Sequence, residues 1–233
     1  ISLDYQLPDP SDEMIVRQIL VKSNTGGVGG SVGLPAVTLA ETDAVIPEPT
    51  NDYAVGTMED ASGTTVDLTA EGTKDWAQFP TKYVDDYAKK DTENVITGFR
   101  RLVSDDTPWS VDVAKDMQLN FTASDAAGGT QPKNQWAITC RGPEGQAGFA
   151  FRLPTADTVQ HVNLYAGSWK GACEVQLLIG GKVCYSTTYG NTNGWEVHKI
   201  GIDYWAENPD DPVEVRMVLN QSLASSGTAG SIA

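Results

Sequence analysis

The chain has 233 residues, 40% hydrophobic and 20% charged, enough to bury a sizeable core without disulfides or metals. Its 31 acidic against 16 basic residues give a formal net charge of −15, which repels phosphate backbones and anionic lipid. Nucleic acid and membrane insertion are therefore not expected, and no apolar run is long enough to span a bilayer.

In chain order, Gly26-Gly27 and Gly29-Gly30 form a glycine-rich stretch with no Lys-Ser/Thr after it, read as a turn and not a phosphate loop. Leu34-Pro-Ala-Val-Thr-Leu39 reads as a strand. Residues 41–63, rich in Pro, Thr, Asp and Glu with Pro47 and Pro49, read as a linker or lead-in segment. Tyr83–Lys90 is the only helix-like stretch. Strand character follows at 94–103, at Met117–Thr122, at Gln135–Cys140 and at Gly148–Leu153. In His161-Val-Asn-Leu-Tyr-Ala166, Val162 and Leu164 point to one face, while His161, Asn163 and Tyr165 point to the other. A hairpin over 173–188 turns at Gly180-Gly181, and strands at Trp195–Tyr204 and Val213–Leu219 close the series. Short strands separated by Gly, Asn, Asp and Pro clusters predict an all-β fold, a jelly-roll-like β-sandwich over residues 64–233.

The three cysteines are Cys140, Cys173 and Cys184, with no CxxC pair, and His161 and His198 stand far apart, so zinc has no support. The hairpin turn pairs Ile179 with Lys182 and hence Leu177 with Cys184. Cys173 then lies four residues further along, on the order of 13 Å from Cys184 at strand rise. Sulfur atoms cannot bridge that span, and buried, unbridged thiols are expected.

An internal match suggests a repeat. Residues 1–20 lie over 200–219 without a gap, with 8 identities in 20, among them Tyr5/Tyr204, Pro10/Pro209 and Arg17/Arg216. Beyond it GGSVG (29–33) resembles AGSIA (229–233). On this reading residues 1–40 are the closing strands of a preceding copy. Residues 64–233 are then the next copy without its own last strand, whose counterpart is Leu34–Leu39. That strand would fill the open edge, within the chain or between chains. The start at Ile1 leads to the expectation of an excised or processed fragment.

The stretch Val66-Asp-Leu-Thr-Ala-Glu-Gly-Thr-Lys-Asp-Trp-Ala77 resembles the opening of a secreted bacterial β-sandwich domain that begins "DLTAEGT-DWA". Gly148–Thr155, Leu164-Tyr-Ala-Gly-Ser-Trp169 and Glu174–Leu178 resemble later strands of that domain in order, and Ala36–Leu39 resembles its closing strand. Gln78-Phe-Pro80 departs from the family's usual "HWG" continuation. The resemblance implies a galactose-binding-like sandwich, an extracellular or cell-surface location, and neighbouring domains of carbohydrate-related proteins.

Enzyme motifs (GxSxG, Walker, HExxH) do not occur, and the chain is not expected to be an enzyme. Asp85, Asp86, Asp105 and Asp106 sit in turn-like clusters; surface roles come first, a structural Ca²⁺ second, paired-carboxylate catalysis last. No other cofactor is expected. Aromatics at loops and strand ends, including Trp76, Tyr83, Tyr87, Trp109, Trp169 and Trp205, offer ring faces, with Trp76 and Trp169 read first as packing residues. The loop after the hairpin joins Tyr189 and Trp195 to Asn191 and Asn193, a set suited to a neutral glycan or polysaccharide; a solvated loop with a tucked Trp competes with it. Arg141 and Lys170 could pair with an acidic sugar, though surface placement comes first. The expected function is a non-catalytic carbohydrate-binding module in a tandem array. The alternative is a ligand-free spacer, stalk or surface-fibre repeat, where a Lys–Asn/Asp isopeptide bond would be in character.

Overall fold

In the computed structural model, which describes residues 51–92, 94–102, 111–140, 147–156, 158–222 and 231–232, the segments with period-two alternation are strands. All these residues belong to one unit that begins at Pro49. The glycine-rich stretch at 26–30, the segment 34–39, Asp105, Asp106, Trp109 and Arg141 lie outside the described residues.

The elements run β1 (Tyr53–Asp60), β2 (Thr65–Asp67), α1 (Leu68–Glu71), β3 (Ala77–Gln78), β4 (Ala88–Lys89) and β5 (Thr97–Arg101). Then come β6 (Val111–Ala114), β7 (Asn120–Thr122), β8 (Ala137–Cys140), β9 (Gly148–Leu153) and β10 (Gln160–Trp169). The chain continues through β11 (Gly171–Ile179), β12 (Lys182–Gly190), β13 (Trp195–Trp205), β14 (Val213–Ser222) and β15 (Ser231–Ile232). A six-stranded sheet has the order β1-β13-β10-β15-β8-β6, and a five-stranded sheet the order β12-β11-β14-β9-β5. Every pairing within both is antiparallel, and the fold is an all-β sandwich.

Alternation explains the packing. Cys173, Val175, Leu177 and Ile179 of β11 and Val213, Val215, Met217 and Leu219 of β14 face Ile200, Ile202 and Tyr204 of β13, all buried in one core with Val162 and Leu164 packed against it. Tyr204 lies within this core and satisfies its hydroxyl by donating to the Pro154 carbonyl at 2.9 Å. A second core lies on the outer face of the six-stranded sheet. There Val66, Leu68, Trp76, Met117 and Leu119 cover Val197.

Three expectations change. The 41–63 segment supplies β1, which pairs along its whole length with β13 from Tyr53↔Trp205 to Asp60↔His198. Tyr83–Lys90 is not a helix. Thr81 Oγ1 accepts from the Tyr83 amide and donates to the Asp86 carbonyl, holding a turn that delivers β4 to β3. The helix is instead one turn at Leu68–Glu71, capped by Asp67. The strand expected from Met117 begins only at Asn120, because Gln118 has φ 60° and breaks the extended run. Met117 and Leu119 are nonetheless buried.

The hairpin turns as expected at Gly180 (φ 57°) and Gly181 (φ 84°), with Ile179 opposite Lys182. Cys184 does not face Leu177, however. The register shifts between Leu177 and Leu178, so that Leu177 pairs with Tyr185 and Cys173 with Tyr189. The shift turns the Tyr185 ring inward against Gly56. A Cβ at Gly56 would come within 2.6–2.8 Å of that ring. Cys173 and Cys184 form no disulfide; Cys173 is buried, while Cys184 is only partly so.

Candidate functional site

Of the four loop residues expected to bind a glycan, Asn191 and Asn193 join in one turn, while Tyr189 is buried in the core. Tyr189 is 5% exposed, and its ring meets the His198 ring edge-on at 4.9 Å, so it has no face to offer a ligand. This corrects its assignment: inward alternation opposite Cys173 places it in the core. Asn191 Oδ1 accepts from the Asn193 amide at 2.7 Å and forms the turn between the sheets. Trp195 starts β13 directly opposite Trp169, and its Nε1 donates to Asp116 Oδ1 at 2.9 Å. Its ring also packs against the second core. Lys170 Nζ sits 4.6 Å from the Trp169 ring centre. Tyr83 is exposed, and Tyr87 stacks among Phe79 and Phe99. Among the described residues, no three His, Cys, Asp or Glu side chains gather as a metal cage.

A different set of side chains converges on the outer face of the β10–β13 pair. Directly opposite partners there are His161↔Asp203, Asn163↔Gly201, Tyr165↔Lys199, Gly167↔Val197 and Trp169↔Trp195. Strand alternation puts all ten on one side, over about 26 Å of strand. The second core covers the Gly167–Val197 rung; a Cβ at Gly167 would come 2.7 Å from Met117 Cε. The polar rungs beyond it stay open to solvent, with the side chains of His161 and Asp203 55% and 51% exposed.

These rungs form one hydrogen-bonded chain. Both ring nitrogens of His161 face acceptor oxygens, Nδ1 at 2.6 Å from Asp203 Oδ1 and Nε2 at 3.0 Å from Asn163 Oδ1, and the tautomer sets which of them donates. Asn163 Nδ2 donates to Glu71 Oε2 at 3.3 Å, and the Tyr165 hydroxyl donates to the same oxygen at 2.6 Å. Lys199 Nζ lies 3.0 Å from it as well. Burial, followed by the bond to Glu71 and the Glu71 charge, pushes the Tyr165 phenol well up, so it remains a donor. The centre of the group is Gly201. Gly201 carries no side chain, and a Cβ there would meet Asn163 Oδ1, His161 Cε1 and Thr57 Oγ1 at 3.3–3.4 Å.

Glu71 reaches this face because of how its stretch folds. Asp67 Oδ1 accepts from the amides of Thr69 and Ala70, and the Gly72 amide donates to the Leu68 carbonyl. Gly72 is required there: a Cβ would come within 2.7–2.9 Å of Asp75 O, Trp76 Cβ and Leu68 O. Lys90 Nζ donates to the carbonyls of Gly72 and Thr73. Asp75 Oδ2 accepts from the amides of Val95 and Ile96. Trp76 packs in the second core with Nε1 on Asp125 Oδ1, which also accepts from Thr69 Oγ1. Each of these residues holds the one-turn helix against the sheet. Glu71, at its last position, crosses to β10. Trp76 is thus a packing residue.

Ser168, Glu196 and His198 also lie together, since Ser168 faces Glu196 and Ala166 faces His198 across β10 and β13. His198 Nε2 and Glu196 Oε1 are 2.7 Å apart, but Ser168 is fully buried and its Oγ makes no hydrogen bond. A hydroxyl that neither meets a base nor reaches solvent cannot serve as a nucleophile. No protein-family model matches the chain, and no curated protein matches it. Among the described residues no helix is long and apolar enough to cross a membrane.

Proposed function

We propose that this chain is a non-catalytic, extracellular glycan-binding module of jelly-roll, galactose-binding-like type, and that the ligand lies on the outer face of β10 and β13 over Gly201. The observation that carries the reading is the chain of polar side chains, His161, Asn163, Asp203 and Glu71 with Tyr165 and Lys199, around Gly201. Such a set offers donors and acceptors at fixed spacing to a hydroxyl-rich ligand. The net charge of −15 disfavours polyanionic glycans and leaves neutral ones as the fitting class. A shallow face of this kind binds weakly by itself, and linked copies would raise avidity.

Affinity electrophoresis through gels carrying neutral and acidic polysaccharides tests the reading. Retardation by a neutral polysaccharide, lost in His161→Ala and Asn163→Ala and kept in Trp195→Ala, is the expected result. Retardation lost only in Trp195→Ala would move the site back to the β12–β13 loop. No retardation in any gel would leave the second reading, a structural repeat. That reading is favoured by one feature, the edge of β10 that has no partner strand among the described residues over Gln160–Gly167.

A further inference from the structure

The outward row of β13 does not end at Asp203. Alternation carries it one rung further, to Trp205, which stands directly opposite Tyr53 of β1. Both side chains therefore lie on the same side of the sheet as Asp203 and Gly201. On β1 the row continues as Val55 opposite Asp203 and Thr57 opposite Gly201. Continuing the β10 register one residue past Gln160↔Tyr204 sets the Val159 position beside Trp205. Of the five large hydrophobic side chains exposed among the described residues, two are these neighbours, Val55 at 43% and Val159 at 45%. An aromatic pair flanked by exposed valines thus borders the polar row. Packing does not account for a tryptophan here. Neither Trp205 nor Tyr53 belongs to either core, and both are only partly buried. Trp205 Nε1 is enclosed and has no hydrogen-bond partner, whereas a tryptophan placed for stability normally satisfies that donor.

We infer, resting on the glycan reading above, that Tyr53 and Trp205 form an aromatic subsite of that face and that its ligand is a β-linked glucan. A β-linked glucopyranose carries its ring substituents equatorially, so both of its faces present only C–H groups. One such face lies on the aromatic pair, and the hydroxyls around its rim point along the sheet toward Asp203 and His161. An α linkage sets the anomeric oxygen off the ring face and lifts the sugar from the aromatic. Trp205 and Gly201 are four residues apart (205 − 201), about 14 Å along the strand. That is longer than one pyranose ring, so the subsite and the polar row hold successive sugars of one chain.

Affinity electrophoresis of the full chain through gels of hydroxyethyl cellulose, mixed-linkage β-glucan and dextran tests the inference. Both β-glucans should retard the parent, and dextran should not. Trp205→Ala should weaken that retardation by roughly tenfold or more, and Trp205→Phe should keep most of it. Because Trp205 lies outside both cores, neither variant should lose its main thermal transition. A second readout needs no variant: cellohexaose should protect Trp205 from oxidation by N-bromosuccinimide, mapped by peptide mass spectrometry. A parent retarded by β-glucan and released by His161→Ala, with Trp205→Ala retarded like the parent, overturns the aromatic subsite and leaves the glycan face standing. So does oxidation of Trp205 that cellohexaose does not slow while β-glucan gels retard the parent. Stronger retardation by dextran overturns the ligand class. No retardation in any gel overturns the subsite and the glycan face together.

Discussion

Replacing Gly201 with alanine separates binding from stability at the proposed glycan face. The new methyl would sit 3.3 Å from Asn163 Oδ1 and from His161 Cε1, and 3.4 Å from Thr57 Oγ1. All three are side-chain atoms on the solvent side of the sheet, and a shift of a few tenths of an ångström accommodates the methyl. Loss of glycine's excess freedom in the unfolded chain stabilises by about 0.5–1 kcal/mol. Loosening one hydrogen bond of the His161–Asn163 pair costs about the same. The two nearly cancel, and the melting temperature should move by no more than roughly 2–4 °C. Binding has no such compensation. The methyl crowds Asn163 and His161 and displaces two ligand-facing groups, worth about 1 kcal/mol each, so affinity should fall by roughly thirtyfold. Differential scanning fluorimetry and affinity electrophoresis on the same preparation read both quantities. A Gly201→Ala chain retarded as strongly as the parent would refute the placement of the ligand over Gly201.

The remaining predictions concern the fold. Gly148→Ala would drive its methyl into the Met217 carbonyl oxygen of the neighbouring strand. It should destabilise by about 3 kcal/mol or more in calorimetry, while Gly181→Ala, with open space around its Cβ position but a positive φ, should cost less. Thiol labelling at pH 8 should proceed in stages. Burial pushes Cys173 up to about 12 and raises Cys140, whereas Cys184 is partly exposed, so mass spectrometry of the native chain should find alkylation at Cys184 alone. Unfolding should release the other two. The Asp125 carboxyl is held below its usual 3.8 by hydrogen bonds from Thr69, Trp76 and Lys90. A depressed folded value stabilises above the unfolded value and is lost as pH falls through the folded one. The second core should therefore loosen only below about pH 4, followed by Trp76 fluorescence, and Asp125→Asn should remove that part of the acid transition.

How much of this was legible beforehand varies by element. The strand β9 lies where its alternation predicts, Gly148–Leu153. The division of β10 into an inward Val162–Leu164 row and an outward His161–Asn163–Tyr165 row also holds, because side-chain direction in a strand has a period of two. The outward row is half of the candidate site. Its other members, Glu71 and the β13 residues Lys199, Gly201 and Asp203, are brought to it by contacts over separations from 34 residues (199 − 165) to 94 (165 − 71). Local pattern carries no information on such pairings. The loop chosen from composition failed at Tyr189 for a related reason. A one-residue register shift in the hairpin decides which way its side chain points, and nothing within the hairpin's own residues marks it.

The sequence by itself determined the all-β class, the positions of most strands, the Gly180-Gly181 turn and the absence of a Cys173–Cys184 bridge. These follow from backbone sterics and from side-chain alternation, which act over a few residues. Only the tertiary structure decided which face of β10 carries the polar row, and that the DLTAEGT stretch is a capped helical turn aimed at that face. Those depend on which strands become neighbours, and that choice belongs to the whole core rather than to any segment within it.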